Sequence, residues 1–199
     1  LAAVFPVTVV DDLQRDVTIN AAPQRIITMV PSHTESVCAL GACHLLVGVD
    51  NWSNWPEGVA ELPHLGDAFA PDLEALVALQ PDLVFVDEYS GLHEPLAALG
   101  VAVYAGTPQT FEETLGFFEL LGVMLDRRAE AALLAGKVQG EIDGVAAVLA
   151  GVTGPTVFLE LDPTPYSAGP NSYMGTLLTL AGGVNVLDAT LGDFPLVDP

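Results

Sequence analysis

Apolar positions along this chain follow two rhythms. Between Phe5 and Ile19 they alternate with polar residues around Asp11-Asp12, the period of an antiparallel ribbon with one buried face. Beyond that they gather into short runs: Ile26 to Val30, Leu46 to Val49, the stretch inside Pro81 to Asp87, and Val101 to Tyr104. Unbroken runs of this length suit parallel strands covered on both faces. Helical stretches separate them. Ser32 and Glu35 make an S-x-x-E capping box that opens a helix beside the carboxyl end of the first run, and Gly41 supplies the left-handed stop. Leu73 to Leu79 and Glu94 to Leu99 read as shorter helices, the second ended by Gly100. Alternating strands and helices with short connections specify a parallel, doubly wound sheet.

The rhythm changes at Thr110. Thr110 and Glu113 form a second capping box for a helix reaching about Leu125, and Asp126 is placed to cap a further helix reaching about Ala150. In that second helix Leu134, Val138, Ile142, Val145 and Leu149 recur at spacings of three and four, which predicts one buried stripe. Such a helix is roughly 36 Å long at about 1.5 Å per residue, enough for a strut between lobes. After the break at Gly151 to Pro155, a strand over Thr156 to Leu161, a helix over Ser172 to Leu180 and a strand over Val184 to Leu187 repeat the first pattern. Leu40-Gly41 is echoed by Ala181-Gly182, and Trp55-Pro56 by Phe194-Pro195. The expected fold is therefore α/β: two Rossmann-like lobes with parallel sheets joined by one long helix. The boundaries are 1–109 for the first lobe, 110–150 for the helical segment and 151–199 for the second lobe. Ligands of open α/β sheets settle at strand carboxyl ends against helix N-termini, and Trp52 and Trp55 leave that edge in the first lobe.

Composition narrows the function classes. The chain has 26 acidic and 5 basic residues, a net charge of −21, which repels phosphate backbones and argues against nucleic acid as a partner. Mean hydropathy is high at +0.47, yet no uncharged apolar run reaches the ~18 residues of a membrane helix. No basic segment precedes an apolar one at Leu1, so the expectation is that any export signal has been removed. Two cysteines occur. Cys38 falls in the apolar stripe of the first helix, where a free thiol acts as a small hydrophobe. A disulfide to Cys43 across so short a loop is possible but geometrically demanding.

The segments Val9-Asp-Asp-Leu-Gln-Arg-Asp-Val-Thr-Ile, Pro23-Gln-Arg-Ile-Ile, Ser32-His-Thr-Glu, Leu45-Leu-Val-Gly-Val-Asp and Leu73-Glu-Ala-Leu-Val-Ala-Leu-Gln-Pro-Asp-Leu-Val resemble, in order, the ABC-transporter substrate-binding proteins for vitamin B12, ferric siderophores and haem. The resemblance implies two lobes, a ligand held between them, delivery to a membrane permease, a periplasmic or cell-surface location and no turnover. It implies a monomer without a resident cofactor, whose ligand carries cobalt or iron. In the B12-binding branch aromatic side chains pack the corrin. The positions that match are Trp52, Trp55 and Phe69, then Glu88 and Tyr89 after the third strand, and Tyr166 and Phe194 in the second lobe. Ser32 and His33 open the helix that points at the ligand. Glu74 occupies the place of the family's first-lobe permease-docking glutamate.

Two departures bear on the ligand. Carboxylates stand at Asp87-Glu88 where the B12 branch often has an aromatic, and Gly66-Asp-Ala-Phe replaces the Gly-Tyr-x-Arg of the haem branch. Haem propionates and anionic siderophores prefer arginine partners, so subtraction favours a corrinoid or a neutral-to-cationic iron chelate. A zinc or manganese site from His33, His64 and His93 with Asp67 and Glu88 is the rival reading, but the spacing matches no compact ligand motif. Enzyme signatures such as G-x-S-x-G, the P-loop and G-x-G-x-x-G are absent. A last expectation is that the second lobe is incomplete. Two parallel strands and one helix cannot cover both faces of a sheet, and the family's second docking glutamate is expected just past Pro199.

Overall fold

Residues 5–162 and 164–197 are described by a computed structural model. The alternating stretch folds as a hairpin, β1 (Val7–Val10) paired antiparallel with β2 (Asp16–Ile19), and Val9, Val17 and Ile19 are its buried positions. The apolar runs become β3 (Ile26–Thr28), β4 (Leu46–Val49), β5 (Leu83–Val86) and β6 (Ala102–Ala105). They form one parallel sheet in the order β4-β3-β5-β6, with Ile26 in register with both Leu46 and Leu83. Every residue of β3 and β5 is buried, as central strands covered on both faces must be. Helices α1 (Pro31–Ala39), α2 (Leu73–Ala78) and α3 (His93–Ala98) connect the strands. Leu76 of α2 and Leu96 of α3 pack with Ile27, Val84, Val86 and Val103 in the core.

The hairpin is fastened to β6. Asp11 accepts the Arg15 backbone N–H at 2.9 Å and its guanidinium at 2.5 Å, while the guanidinium also reaches the Val103 carbonyl at 3.4 Å. The Asp12 N–H donates to the Ala105 carbonyl at 3.1 Å. A Cβ on Gly106 would lie 2.2 Å from the Asp12 carboxylate, so only glycine lets this turn close on the strand.

Three local readings are sharpened. First, no capping box forms at Ser32: α1 starts at Pro31 with Val30 as its N-cap, and no side chain caps it. Proline suits the first helical position because its fixed φ is helical and its missing N–H needs no partner, and this moves the start one residue earlier. Ser32 lies inside the first turn, where its carbonyl accepts the Ser36 hydroxyl at 2.6 Å. Second, of the two readings open for Cys38 the disulfide is the one present: it bonds to Cys43 with Cα atoms 4.0 Å apart. A single 3-10 turn, Cys43–Leu45, follows the helix stop so closely that Cys43 returns to the helix end. Third, the backbone puts Arg127 rather than Asp126 at the start of the long helix, the Arg127 carbonyl accepting the Ala131 N–H at 2.9 Å. Asp126 sits in the turn at φ 55, and α5 (Arg128–Leu149) begins two residues later.

The other capping box does form. Ahead of α4 (Phe111–Met124), the Thr110 hydroxyl accepts the Glu113 N–H at 3.1 Å. Glu113 returns to the Gln109 N–H at 2.7 Å, one residue before the usual position. Glycine at 122 lets α4 and α5 approach, since a Cβ there would be 2.6 Å from that of Ala131. The stripe on α5 is shallower than its spacing predicts: Leu134, Val138, Ile142 and Leu149 are half-buried and Val145 is exposed.

The chain divides into two units. One comprises residues up to Thr107 with Phe118–Leu134, and the other Pro108–Phe117 with residues from Ala135 onward, so both long helices are shared between them. The second unit contains β7 (Thr156–Val157), α6 (Tyr173–Leu180) and β8 (Val184–Asn185), with β7 and β8 parallel. Ser172 caps α6 by accepting the Gly175 N–H at 3.0 Å. Both strands are shorter than the sequence runs that predict them. Beyond Val157, Glu160 makes only an isolated bridge to Ser167.

Candidate functional site

The carboxyl edge of the β4-β3-β5-β6 sheet collects the first unit's candidates because each strand releases its loop there. After β4 the chain turns through Asp50, whose Oδ1 accepts the N–H groups of Trp52 at 2.7 Å and Ser53 at 3.2 Å. That turn is buried at Asp50 and Ser53, while Trp52 and Trp55 stand 69% and 63% exposed. The Asn51 N–H donates to the Gly66 carbonyl at 2.7 Å, tying the tryptophan loop to the loop that carries Phe69. In that second loop the Asp67 carboxylate accepts the N–H groups of Phe69 and Ala70, both at 2.9 Å. Gly66 has φ +88, and a Cβ there would lie 2.2 Å from the Ala70 carbonyl, so the turn needs glycine. Phe69 is 89% exposed at its tip.

After β5, Asp87 accepts the Tyr89 N–H at 2.7 Å, and Glu88 accepts the Thr107 hydroxyl at 3.0 Å from the end of β6. Tyr89 is exposed. The neighbouring Glu88 carboxylate, by its charge first and then by a hydrogen bond, raises the Tyr89 phenol above its ordinary range. This edge therefore presents three exposed aromatic loops on backbone turns that are each locked by a carboxylate.

His33 is placed differently. It is fully buried, with its ring 5.8 Å from that of Phe85, so it offers no surface to a ligand, contrary to the expectation for the opening of α1. Burial lowers its pKa from 6.5 to about 4, opposed in part by a hydrogen bond to the Gly106 backbone. Ser32, one residue earlier, is exposed at the helix start. His64 lies in the loop after β4 with its ring nitrogens 3.1 Å from the Asp50 carbonyl and 3.2 Å from that of Ala60. Among the described residues no three His, Cys, Asp or Glu side chains gather as metal ligands. Three of the four arginines have structural partners: Arg15 is held by Asp11, Arg25 donates to the Leu79 carbonyl at 2.7 Å, and Arg127 pairs with Glu130 at 3.9 Å, while Arg128 opens α5.

In the second unit Tyr166 and Phe194 lie on adjoining segments. The Ser167 N–H donates to the Pro195 carbonyl at 3.0 Å and the Gly169 N–H to the Asp193 carbonyl at 2.8 Å, while Tyr166 bridges Leu196. Both aromatic rings are partly exposed. Glu74 is exposed in the first turn of α2, whose N-cap Asp72 accepts the Ala75 N–H at 2.9 Å. Sequence reasoning missed Asp50, Ser53 and Thr34, which hold the tryptophan loop from below. The Asp50-x-x-Ser53 spacing, a side chain accepting from its own turn, is the signal that could have found the first two.

A two-unit α/β chain with a parallel sheet, long helices and aromatic loops at strand carboxyl ends has the architecture of a solute-binding protein. The periplasmic binding protein family matches residues 26–199, and the chain belongs to that family. It is 28% identical over 206 residues to the uncharacterized ABC transporter substrate-binding lipoprotein YvrC of Bacillus subtilis, covering 98% of this chain and 65% of that protein. It is 24% identical over 180 residues to the vitamin B12-binding protein of Yersinia pestis, covering 88% of this chain and 64% of that one. Among solved structures, a possible iron-binding (periplasmic solute-binding) protein from Staphylococcus epidermidis superposes with a TM-score of 0.78 at 25% identity, covering 89% of this chain and 72% of that one. The chain thus spans about 65% of the length of the curated relatives it matches.

Proposed function

We propose that this chain is the substrate-binding component of an ABC importer, working outside the cytoplasm as a monomer, and that its ligand is a corrinoid. The observation that carries this reading is the set of exposed aromatic faces on anchored loops: Trp52, Trp55, Phe69 and Tyr89 in one unit, Tyr166 and Phe194 in the other. Flat rings that each bury about 150–250 Å² suit a macrocycle. The kinship to a vitamin B12-binding protein supports the same choice. Glu88 and Asp87 beside Tyr89, with Arg15 and Arg25 held elsewhere, disfavour an anionic ligand. An iron chelate is the second reading, favoured by the likeness to a possible iron-binding protein. Absorbance titrations with cyanocobalamin, haemin and a ferric siderophore separate the two. Saturable binding of cyanocobalamin alone is the expected result, and binding of either iron compound in its place overturns the corrinoid assignment.

Glu74 is the proposed first-unit contact to the permease. Its exposed carboxylate also favours the N-terminus of α2, worth about 0.3–1 kcal/mol. The docking role predicts that Glu74→Ala leaves ligand affinity intact and slows association with the permease, most at low salt. Equal association rates for wild type and variant across a salt series would leave Glu74 only its helix role.

A further inference from the structure

Beneath the tryptophan loop, four buried polar side chains form a continuous line. Thr28 of β3 lies 2.7 Å from Thr34 of α1 through their hydroxyl oxygens, Thr34 lies 2.7 Å from the Ser53 hydroxyl, and Ser53 donates to Asp50 Oδ2 at 2.5 Å. All four are at most 1% exposed. An ionised carboxylate can only accept, and a hydroxyl carries one proton. Ser53 is thus committed to Asp50 and must accept from Thr34, which in turn must accept from Thr28. The one other acceptor near Thr34, the Val30 carbonyl, is farther away at 3.3 Å. The line has a single direction, from the centre of the sheet to the loop.

We infer that this directed chain holds the tryptophan loop in its binding conformation, with Asp50 and Thr34 as positioning residues; the consequence for binding rests on the ligand role proposed for Trp52. The turn hydrogen bonds from Trp52 and Ser53 to Asp50 shape the loop locally. The Asp50 N–H also donates to the Thr28 carbonyl at 3.0 Å, so the backbone ties the start of the turn to β3. Thr34 adds the side-chain link from Ser53 to α1 and to the Thr28 hydroxyl. Charge-assisted hydrogen bonds in a dry interior are stronger than neutral ones, and a loop ordered before binding loses less freedom on capture.

The protein supplies its own probe, because both of its tryptophans, Trp52 and Trp55, lie in this loop. In time-resolved fluorescence anisotropy of the unliganded protein, the local motion resolved from overall tumbling is therefore that of this loop. Thr34→Val is nearly isosteric and leaves the Asp50 turn intact. It is expected to increase the nanosecond depolarisation of the indoles and to weaken cyanocobalamin binding about tenfold. Thr28→Val, at the head of the line, should do less of both. Asp50→Ala should do more, since it also removes the turn hydrogen bonds; if it fails to fold, Ser53→Ala breaks the line between Thr34 and Asp50 and leaves those turn bonds in place. Unchanged anisotropy in a folded Thr34→Val protein overturns the inference. Faster depolarisation in a protein whose wild type ignores cyanocobalamin supports loop positioning and overturns the ligand reading instead.

Discussion

Lowering the pH from 7 to 4 is expected to cost this protein up to about 3 kcal/mol of stability through His33 alone. Its pKa falls from 6.5 to about 4 on folding because burial penalises the charged ring. The sign follows from which state takes the proton first. Between these values the unfolded chain is protonated and the folded chain is not, so acid favours unfolding. The His33 contribution is complete above about pH 6.5, shrinks as pH falls and is gone below about pH 4. Denaturant midpoints for wild type and His33→Leu, measured across this range, isolate the effect from the carboxylates both proteins share. Wild type should lose more stability than the variant; parallel pH curves would show that His33 is not the titrating group.

Truncating an aromatic anchor should cost the ligand about 2 kcal/mol, roughly thirtyfold in affinity. Trp52→Ala in the first unit and Phe194→Ala in the second are the decisive variants. Their side chains are 69% and 56% exposed, so little packing is lost and the melting temperature should barely move. Cyanocobalamin titrations of both variants check this. Wild-type affinity in the two together would remove the aromatic loops from the binding surface. A loss in Trp52→Ala alone would restrict the role to the first unit.

Much of the first unit was legible because short apolar runs have few alternatives. Leu83 to Val86 is bounded by Pro81-Asp82 and Asp87 and is buried at all four positions, so the run and the strand coincide. The misreadings are equally physical. A capping box is a pattern of side chains, and Pro31 beside Ser32 outweighed it by fixing the backbone first. The resemblance places His33 at the ligand because it opens the helix that points there, yet it stands four residues before Val37 and seven before Leu40, both buried. That helical spacing had marked it as a core residue. Aromatic loop residues could be named from sequence because large apolar groups outside regular elements are conspicuous. The hydroxyl line under them could not, since Thr28, Thr34, Ser53 and Asp50 come together only when β3, α1 and the loop after β4 are in place.

The fastening of the hairpin to β6 also sets an order of assembly. Tyr104 on β6 reaches Asp12 across a sequence separation of 92 residues, and Arg15 reaches Val103 across 88. The hairpin precedes β6 in the chain, yet its dock does not exist until that strand has been made. At about 5–20 residues per second, synthesis of the intervening chain takes roughly 5–18 s. During that interval β1 and β2 have only each other, and an isolated two-stranded hairpin is marginal in water. Closing the first unit is thus a long-range event, and a hairpin synthesised well before β6 is among the last segments to find its place.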